Sequence, residues 1–264
     1  MRLKLFLIPA ALAFILTSCG GAPLPRLEVS SYTERTVEVG LPLHMDIDCE
    51  SGTTEVYSWN KKEVKLEFTR TVRGNQERSE LEKRLEGFDI DVGNDRTAGR
   101  LTLKSRFKGG YGRTEGILDI KLYIPKKTSD FSLVQKSGRL AFLDNFNGDL
   151  DIKAGNLSLD INKLEGKLTC KLDSGNLRVT AGELESESDV LIAKGNIRIK
   201  ASFESSGSYS FKTGFGMLEL CLPENANAVF DTYGLAEAGD FSSGENPSKF
   251  RLECGLGKIN VSKF

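Results

Sequence analysis

The chain is predicted to be all-β, a single-stranded β-solenoid with coils of about 20 residues. Three observations predict it. The phrase Gly175-Asn-Leu-Arg-Val returns as Gly195-Asn-Ile-Arg-Ile, one such coil further on. Related phrases, of the form glycine, any residue, Leu or Ile, any residue, apolar residue, start at Gly138, Gly148, Gly155, Gly166, Gly216 and Gly257. Each is a turn signal that opens a period-two strand, and the stretch lacks helical periodicity. A unit this short cannot bury its own apolar face, so it must stack on copies of itself.

The N-terminal segment comes first. Arg2 and Lys4 precede an unbroken apolar run, Leu5 to Leu16. A bilayer span needs roughly 20 residues. The run falls well short of that, so residues 1–18 read as a secretory signal. The signal ends in Leu16-Thr17-Ser18-Cys19-Gly20, which resembles the lipobox of bacterial lipoproteins. There the cysteine is acylated and becomes the new N-terminus. An ordinary cleaved signal is the alternative, but no small-x-small site follows Leu16 without using Cys19 itself. More than one acyl chain at Cys19 would hold the protein stably to a membrane. In a cell with two membranes, Gly20 resembles the outer-membrane sorting pattern. Residues 19–26 form a short tether.

Removing Arg2 and Lys4 leaves 34 basic against 37 acidic residues, with both signs interleaved. No basic stripe points to nucleic acid.

Residues 27–130 read as a less regular β region. Residues 37–59 alternate around Gly40 and Gly52, and further strands follow at 62–72, 87–92, 100–107 and 116–125. Residues 76–87 are the exception. Leu81, Leu85 and Phe88 fall at helical spacing and Glu80 pairs with Arg84 at i, i+4, which predicts a short amphipathic helix covering the open end of the solenoid.

Residues 131–264 read as regular solenoid, continuous with the region before. Gly155, Gly175, Gly195 and Gly216 are almost evenly spaced, and two further steps of the same size reach Gly257 through a weaker copy at Gly234. This spacing predicts interior ladders Leu157–Leu177–Ile197–Leu218 and Leu159–Val179–Ile199–Leu220. It also predicts an amide ladder Asn156–Asn176–Asn196 and an outer column Ser158–Arg178–Arg198–Glu219. A right-handed coil follows from the crossover rule. A β-sandwich of evenly spaced hairpins would account for the spacing but not for the repeated phrase.

An exported chain is able to pair its cysteines. Cys170, however, takes a slot filled elsewhere by Ile152, Ile192 and Phe211, and Cys49 shares the parity of Leu43, Met45 and Ile47. Both read as buried free thiols. Cys221 and Cys254 are left open between thiol and disulfide.

The order of these segments resembles the DUF4097 family of bacterial envelope proteins, described as adhesin-like with a β-helical repeat. The residues that carry it are the Ser-Gly turn at Ser51-Gly52, the short helix, the strand Leu118-Asp-Ile-Lys-Leu-Tyr-Ile-Pro125, the train of glycine phrases, and Leu218 to Gly234. It covers roughly Val37 to Phe264. The resemblance implies the fold and supplies no catalytic or binding residues.

The chemistry-bearing residues are sparse. His44, the one histidine, forms His-x-Asp-x-Asp with Asp46 and Asp48. A metal site would need these groups, but the same alternation makes them the outward face of a strand whose Leu43, Met45 and Ile47 face the core. No Gly-x-Ser-x-Gly elbow, phosphate loop, zinc spacing or cofactor fingerprint is present. Asp149, Asp151 and Asp160 offer carboxylates for glycoside hydrolysis, amid acids scattered over every face. The expectation is therefore a non-catalytic lipoprotein of the cell envelope, without metal or cofactor, acting as a binding or structural module. Arg178 and Arg198, with Glu219 beside them, are the candidate ligand face, for an anionic envelope glycan, lipid or protein. The alternatives are a lipid-carrying transport lipoprotein, which a solenoid core filled by Leu, Ile, Val and Phe disfavours, and a polysaccharide-active β-helix enzyme.

Overall fold

The computed structural model describes residues 26–110 and 114–264. The signal segment, Cys19 and residues 20–25 of the tether lie outside the described residues.

Alternating apolar and polar residues put most of the chain into strands. These begin with β1 (Leu27–Glu38), β2 (Leu43–Trp59) and β3 (Glu63–Gly74). Helix α1 (Arg78–Arg84) and a 3-10 turn (Leu85–Gly87) come next, followed by β4 (Phe88–Asp95), β5 (Arg100–Phe107) and β6 (Glu115–Pro125). Three long strands follow, β7 (Thr128–Asn147), β8 (Asp149–Gly166) and β9 (Leu168–Val179). Four short segments succeed them, β10 (Gly182–Leu184), β11 (Asp189–Lys194), β12 (Ile197–Lys200) and β13 (Ser202–Phe203). The chain ends in β14 (Ser208–Leu222), β15 (Ala228–Ala238) and β16 (Ser248–Lys263). The fold is all-β with one short helix.

From β2 onward the rungs lie parallel, β2 on β7, β7 on β8, β8 on β9. β9 bends at Gly175 and pairs with β11 before the bend and β12 after it. β14 bends at Gly216 and pairs with the same two segments, so the circuit β9–β11–β14–β12 closes on itself. A third side is built from the end of β8, β10 and β13.

The bends form one column. Gly52, Gly138, Gly175, Gly195, Gly216 and Gly257 all have φ between 131° and 150°, a region that disfavours side chains. A Cβ on Gly195 would stand 1.6 Å from the Gly175 carbonyl oxygen. Polar interior residues bond the carbonyls of this column. Gln135 Nε2 donates to Gly52 O at 2.8 Å, Thr213 Oγ1 to Gly195 O at 2.8 Å, and Cys254 Sγ to Gly216 O at 3.4 Å.

Apolar columns run beside the bends. Leu140, Leu159, Leu177, Ile197, Leu218 and Ile259 are aligned in register and each is at most 1% exposed. Burying an aliphatic side chain of this size contributes about 1.5–3 kcal/mol. Phe142, Ile161, Val179, Ile199, Leu220 and Val261 form the next column.

Three expectations need correction. First, Leu177 lies beside Leu159, not Leu157, because the offset between β8 and β9 is two residues shorter than the step from Gly155 to Gly175. Leu157 instead fills the glycine column between Gly138 and Gly175, and Gly155 lies before the bend. A slip of two residues leaves every side chain on its original face, so the alternation did not exclude it. Cys170 stands beside Ile152 as expected, and the register of β9 with β11 then puts Val190, not Ile192, on its other side. Secondly, Asn156 faces Ser174 and leaves the amide ladder. Thirdly, the last glycine phrase does not follow Gly234 in the stack. β16 inserts between β14 and β15, and Gly257 lies directly on Gly216. β16 buries Phe250, Leu252, Cys254, Ile259 and Val261, whereas Ala228 is the buried apolar residue of β15. β16 is covered on both sides, whereas β15 takes the edge and leaves Val229, Tyr233 and Leu235 exposed.

At the N-terminal end the stack forks. The first half of β2 carries β5 and the antiparallel β4, and its second half carries β6 with the antiparallel β3 and β1. Helix α1 buries Leu81 with Val29 and Val72, and partly buried Leu85, Phe88 and Phe107 pack against this small core. Arg84 pairs with Glu80 at 3.3 Å, at the spacing expected. The helix covers β1 and β3.

Cys49, Cys170, Cys221 and Cys254 are all free thiols. Burial pushes the Cys49 and Cys170 thiols up to about 12, which removes them as nucleophiles at neutral pH.

Candidate functional site

The strand after the glycine bend presents alternate residues outward. This puts Arg178 of β9 directly beside Arg198 of β12, and Arg198 beside Glu219 of β14, as expected. The fourth member differs. Ser158 faces Asn176, and Asp160 faces Arg178. The column is therefore Asp160–Arg178–Arg198–Glu219, with a carboxylate at each end.

These charges are unevenly matched. Arg198 Nε donates to Glu219 Oε2, and that bond holds the guanidinium more firmly in its charged form. Asp160 accepts from Arg139 at 3.0 Å, drawn across from β7. Arg178 is exposed and makes no ion pair among the described residues. Three cations thus meet two carboxylates, and the surplus charge sits on Arg178.

Below the arginines the bend itself is fixed by amides. Asn176 Oδ1 accepts from the Asn196 backbone N–H at 3.0 Å and from Asn196 Nδ2 at 3.1 Å. Asn196 Oδ1 in turn accepts from the Met217 N–H at 2.8 Å. Asn176, Asn196, Arg178, Arg198, Asp160 and Met217 line a shallow groove of about 260 Å³. Its wall offers forked guanidinium donors suited to carboxylate or phosphate oxygens. Asp160, Arg139 and Met217 were not assigned here from sequence. The signal that would have found Asp160 is the slot shared by Ile152 and Cys170, which stand closer together than Gly155 and Gly175 do.

The other candidates do not converge. His44 Nδ1 bonds the Asp130 carboxylate, with Ser129 Oγ at 3.3 Å from the same nitrogen. Asp46 and Asp48 bond Arg100 and Arg106 of β5 at 3.0 and 2.5 Å. A Ser–His–Asp relay needs serine and carboxylate on opposite ring nitrogens, and here both address one. Among the described residues no group of three or more His, Cys, Asp or Glu is placed to hold a metal ion. Asp149 accepts from the Lys167 N–H, Asp151 from Lys153 and Asp160 from Arg139, each engaged separately. No helix among the described residues is long and apolar enough to cross a membrane.

No family model matches the chain, and no curated protein does. The resemblance to the DUF4097 family therefore has no family model behind it. Among solved structures the chain is similar to a "putative adhesin" from Parabacteroides distasonis, at 14% identity over 89% of this chain and 97% of that one, with a TM-score of 0.46. It is similar to a "putative cell adhesion protein" from Clostridium sporogenes, at 12% identity over 89% and 100%, with a TM-score of 0.39. A "putative lipid binding protein" from Parabacteroides distasonis is similar at 11% identity over 87% and 96%, with a TM-score of 0.30. Similarities this distant carry no argument about function.

Proposed function

We propose that the chain is an envelope lipoprotein, anchored through acyl chains on Cys19, whose right-handed β-solenoid serves as a non-catalytic binding module for an anionic envelope component. In a cell with two membranes the anchor would lie in the outer one. The observation that carries the binding role is the groove at the glycine bend. Two arginines stand in register there, one rung apart, or about 4.8 Å, and Arg178 has no ion pair among the described residues. Like charges side by side repel. Asp160 and Glu219 relieve the column from its ends, and an anionic group held between the two guanidinium forks relieves it from the front.

The closed circuit of strands and the glycine column support the solenoid reading. The filled interior columns weigh against lipid carriage, since the residues that would line a lipid tunnel pack against one another. The occupied Nδ1 of His44 and the separately engaged carboxylates weigh against hydrolytic chemistry.

The test is binding of the full-length protein to purified anionic and neutral envelope glycans and to vesicles with and without anionic lipid, at several salt concentrations. Arg178→Ser/Arg198→Ser should lose most of the salt-sensitive binding to one anionic class. Unchanged binding with a gain in stability would show the pair to be a tolerated surface repulsion. The anchor has its own test, in which the wild-type chain takes up acyl label and Cys19→Ser does not. An unlabelled wild type, or a Cys19→Ser variant labelled as fully as the wild type, would remove the anchor.

A further inference from the structure

The third side of the stack ends early. Among the described residues β13 pairs with β10 and with no further strand. The reason is in the sequence. Lys200 faces Cys221 at the end of the β12–β14 pairing. Two residues on, Pro223 stands where a partner for Ser202 would, and proline has no N–H to give. The gap is a cavity of about 480 Å³ between β13, residues 222–228 and residues 245–250. That size falls within the usual range for small-molecule sites.

We infer that this cavity binds an uncharged polyhydroxylated ligand, a neutral sugar residue. The lining carries both halves of such a site. Half-buried Phe203 supplies an apolar surface, backed edge to face at 4.9 Å and 86° by Phe250, which is itself buried and stacked between Tyr209 and Phe230. Ser205, Asn225 and Asn246 line the same space, and no hydrogen bond ties their side chains to the described residues. Hydroxyl and amide groups both donate and accept, which is the pattern a sugar hydroxyl matches. No Lys, Arg or His lines the cavity, while Glu245 does, so an anion finds repulsion instead of a partner.

The mouth is held in shape. Ser206 and Asn246 sit at φ 62° and 52°, and Ser206 Oγ donates to Asn246 O at 3.2 Å, pinning one loop to the other. Strained backbone held by its surroundings is a feature of ligand clamps, and a fixed mouth lowers the entropy lost on binding. An added peptide strand is poorly served, since β13 offers only Ser202 and Phe203 as an edge. The cavity shares no lining residue with the Arg178–Arg198 groove and has the opposite charge preference.

The experiment titrates the full-length protein in detergent with glucose, galactose, N-acetylglucosamine and galacturonate, followed by saturation-transfer NMR and calorimetry. At least one neutral sugar should bind saturably in the millimolar range, and galacturonate about tenfold more weakly or worse. Ser205→Ala/Asn225→Ala should weaken the neutral sugar about tenfold with an unchanged melting temperature. Ala226→Trp should fill the cavity and abolish binding. If that variant melts early, the exposed alanine pair decides. Arg178→Ser/Arg198→Ser should leave sugar binding as it is, so loss of the groove's ligand and loss of this one are separable. The inference is overturned if none of the three neutral sugars binds saturably, if binding survives the Ser205/Asn225 pair, or if galacturonate binds best.

Discussion

Two neighbouring parts of the stack use the same five-residue phrase in different ways. In the rungs that bend at Gly175, Gly195, Gly216 and Gly257, glycine sits in the bend at φ 131–150° and the interior Leu or Ile follows two residues later. In β8 the phrase opens at Gly155, which lies outside that φ range, and the bend position is taken by the fully buried Leu157. The difference teaches what each signal fixes. Alternation decides which face a residue occupies, and the bend column decides which residue it stands beside. Where leucine replaces glycine at the bend, the phrase no longer marks the register. The neighbour of Arg178 changes accordingly, from serine to aspartate.

The largest effect should separate the two kinds of glycine. Gly195→Ala puts a Cβ 1.6 Å from the Gly175 carbonyl oxygen at φ 145°, and should cost about 3 kcal/mol or more in denaturant melts. Gly155→Ala meets the Lys136 carbonyl oxygen at 2.7 Å with ordinary φ, and should cost clearly less. Equal losses would dissolve the distinction.

Leucines come next. Leu157→Ala and Leu177→Ala should each lose about 2–5 kcal/mol, the range for a buried leucine, although one stands in the bend and the other beside it. Ser158→Ala, on the outer side, should lose less than about 0.5 kcal/mol. A cheap Leu157→Ala would mean that the bend in β8 opens to water.

The amide ladder gives a smaller contrast. Asn196→Ala removes the side-chain bonds to Asn176 Oδ1 and from the Met217 N–H, keeping the backbone bond to Asn176, and should cost about 1 kcal/mol. Asn156→Ala, off the ladder, should be near neutral in the same melts.

The smallest effect concerns Glu253 on the inserted strand. Lys212 lies 3.3 Å from Glu253 across the β14–β16 pair, a contact that exists because β16 lies against β14. A hydrogen bond from Arg251, and then one from Lys212, hold the Glu253 carboxyl below its ordinary value of 4.5. A depressed carboxylate stabilises the fold above its unfolded value, and that contribution disappears as pH falls through the folded value. Thermal melts should therefore decline as pH drops below about 4.5, and Glu253→Gln should flatten a small part of the decline. The contribution is minor because the pair is solvated. An identical pH profile in Glu253→Gln would contradict it.

Much of this was legible in the residues. Period two gave the inward faces of Leu43, Met45, Ile47, Cys49 and Cys170, and spacing at i, i+4 gave the helix with its Glu80–Arg84 pair. The placing of Arg178 beside Arg198 followed from the matching phrases at Gly175 and Gly195. The β8–β9 register did not follow, because a two-residue slip preserves every face. Nor did the place of β16, since alternation makes every rung a possible neighbour for every other and the spacing of the glycine phrases placed Gly234 before Gly257 in the stack. The cavity beside β13 arises where Pro223 ends a pairing, and it is assembled by loops that carry no periodic pattern.

The register at the arginine column is tested most directly by disulfide formation in a Cys221→Ser background. Residues facing each other on adjacent rungs are about 4.8 Å apart, and diagonal ones about 7–8 Å, beyond easy reach of a disulfide. Asp160→Cys/Arg178→Cys should cross-link readily under mild oxidation of the folded protein, and Ser158→Cys/Arg178→Cys should remain reduced. Rapid cross-linking of the Ser158 pair, with the Asp160 pair left reduced, would contradict the account and return serine to the side of Arg178.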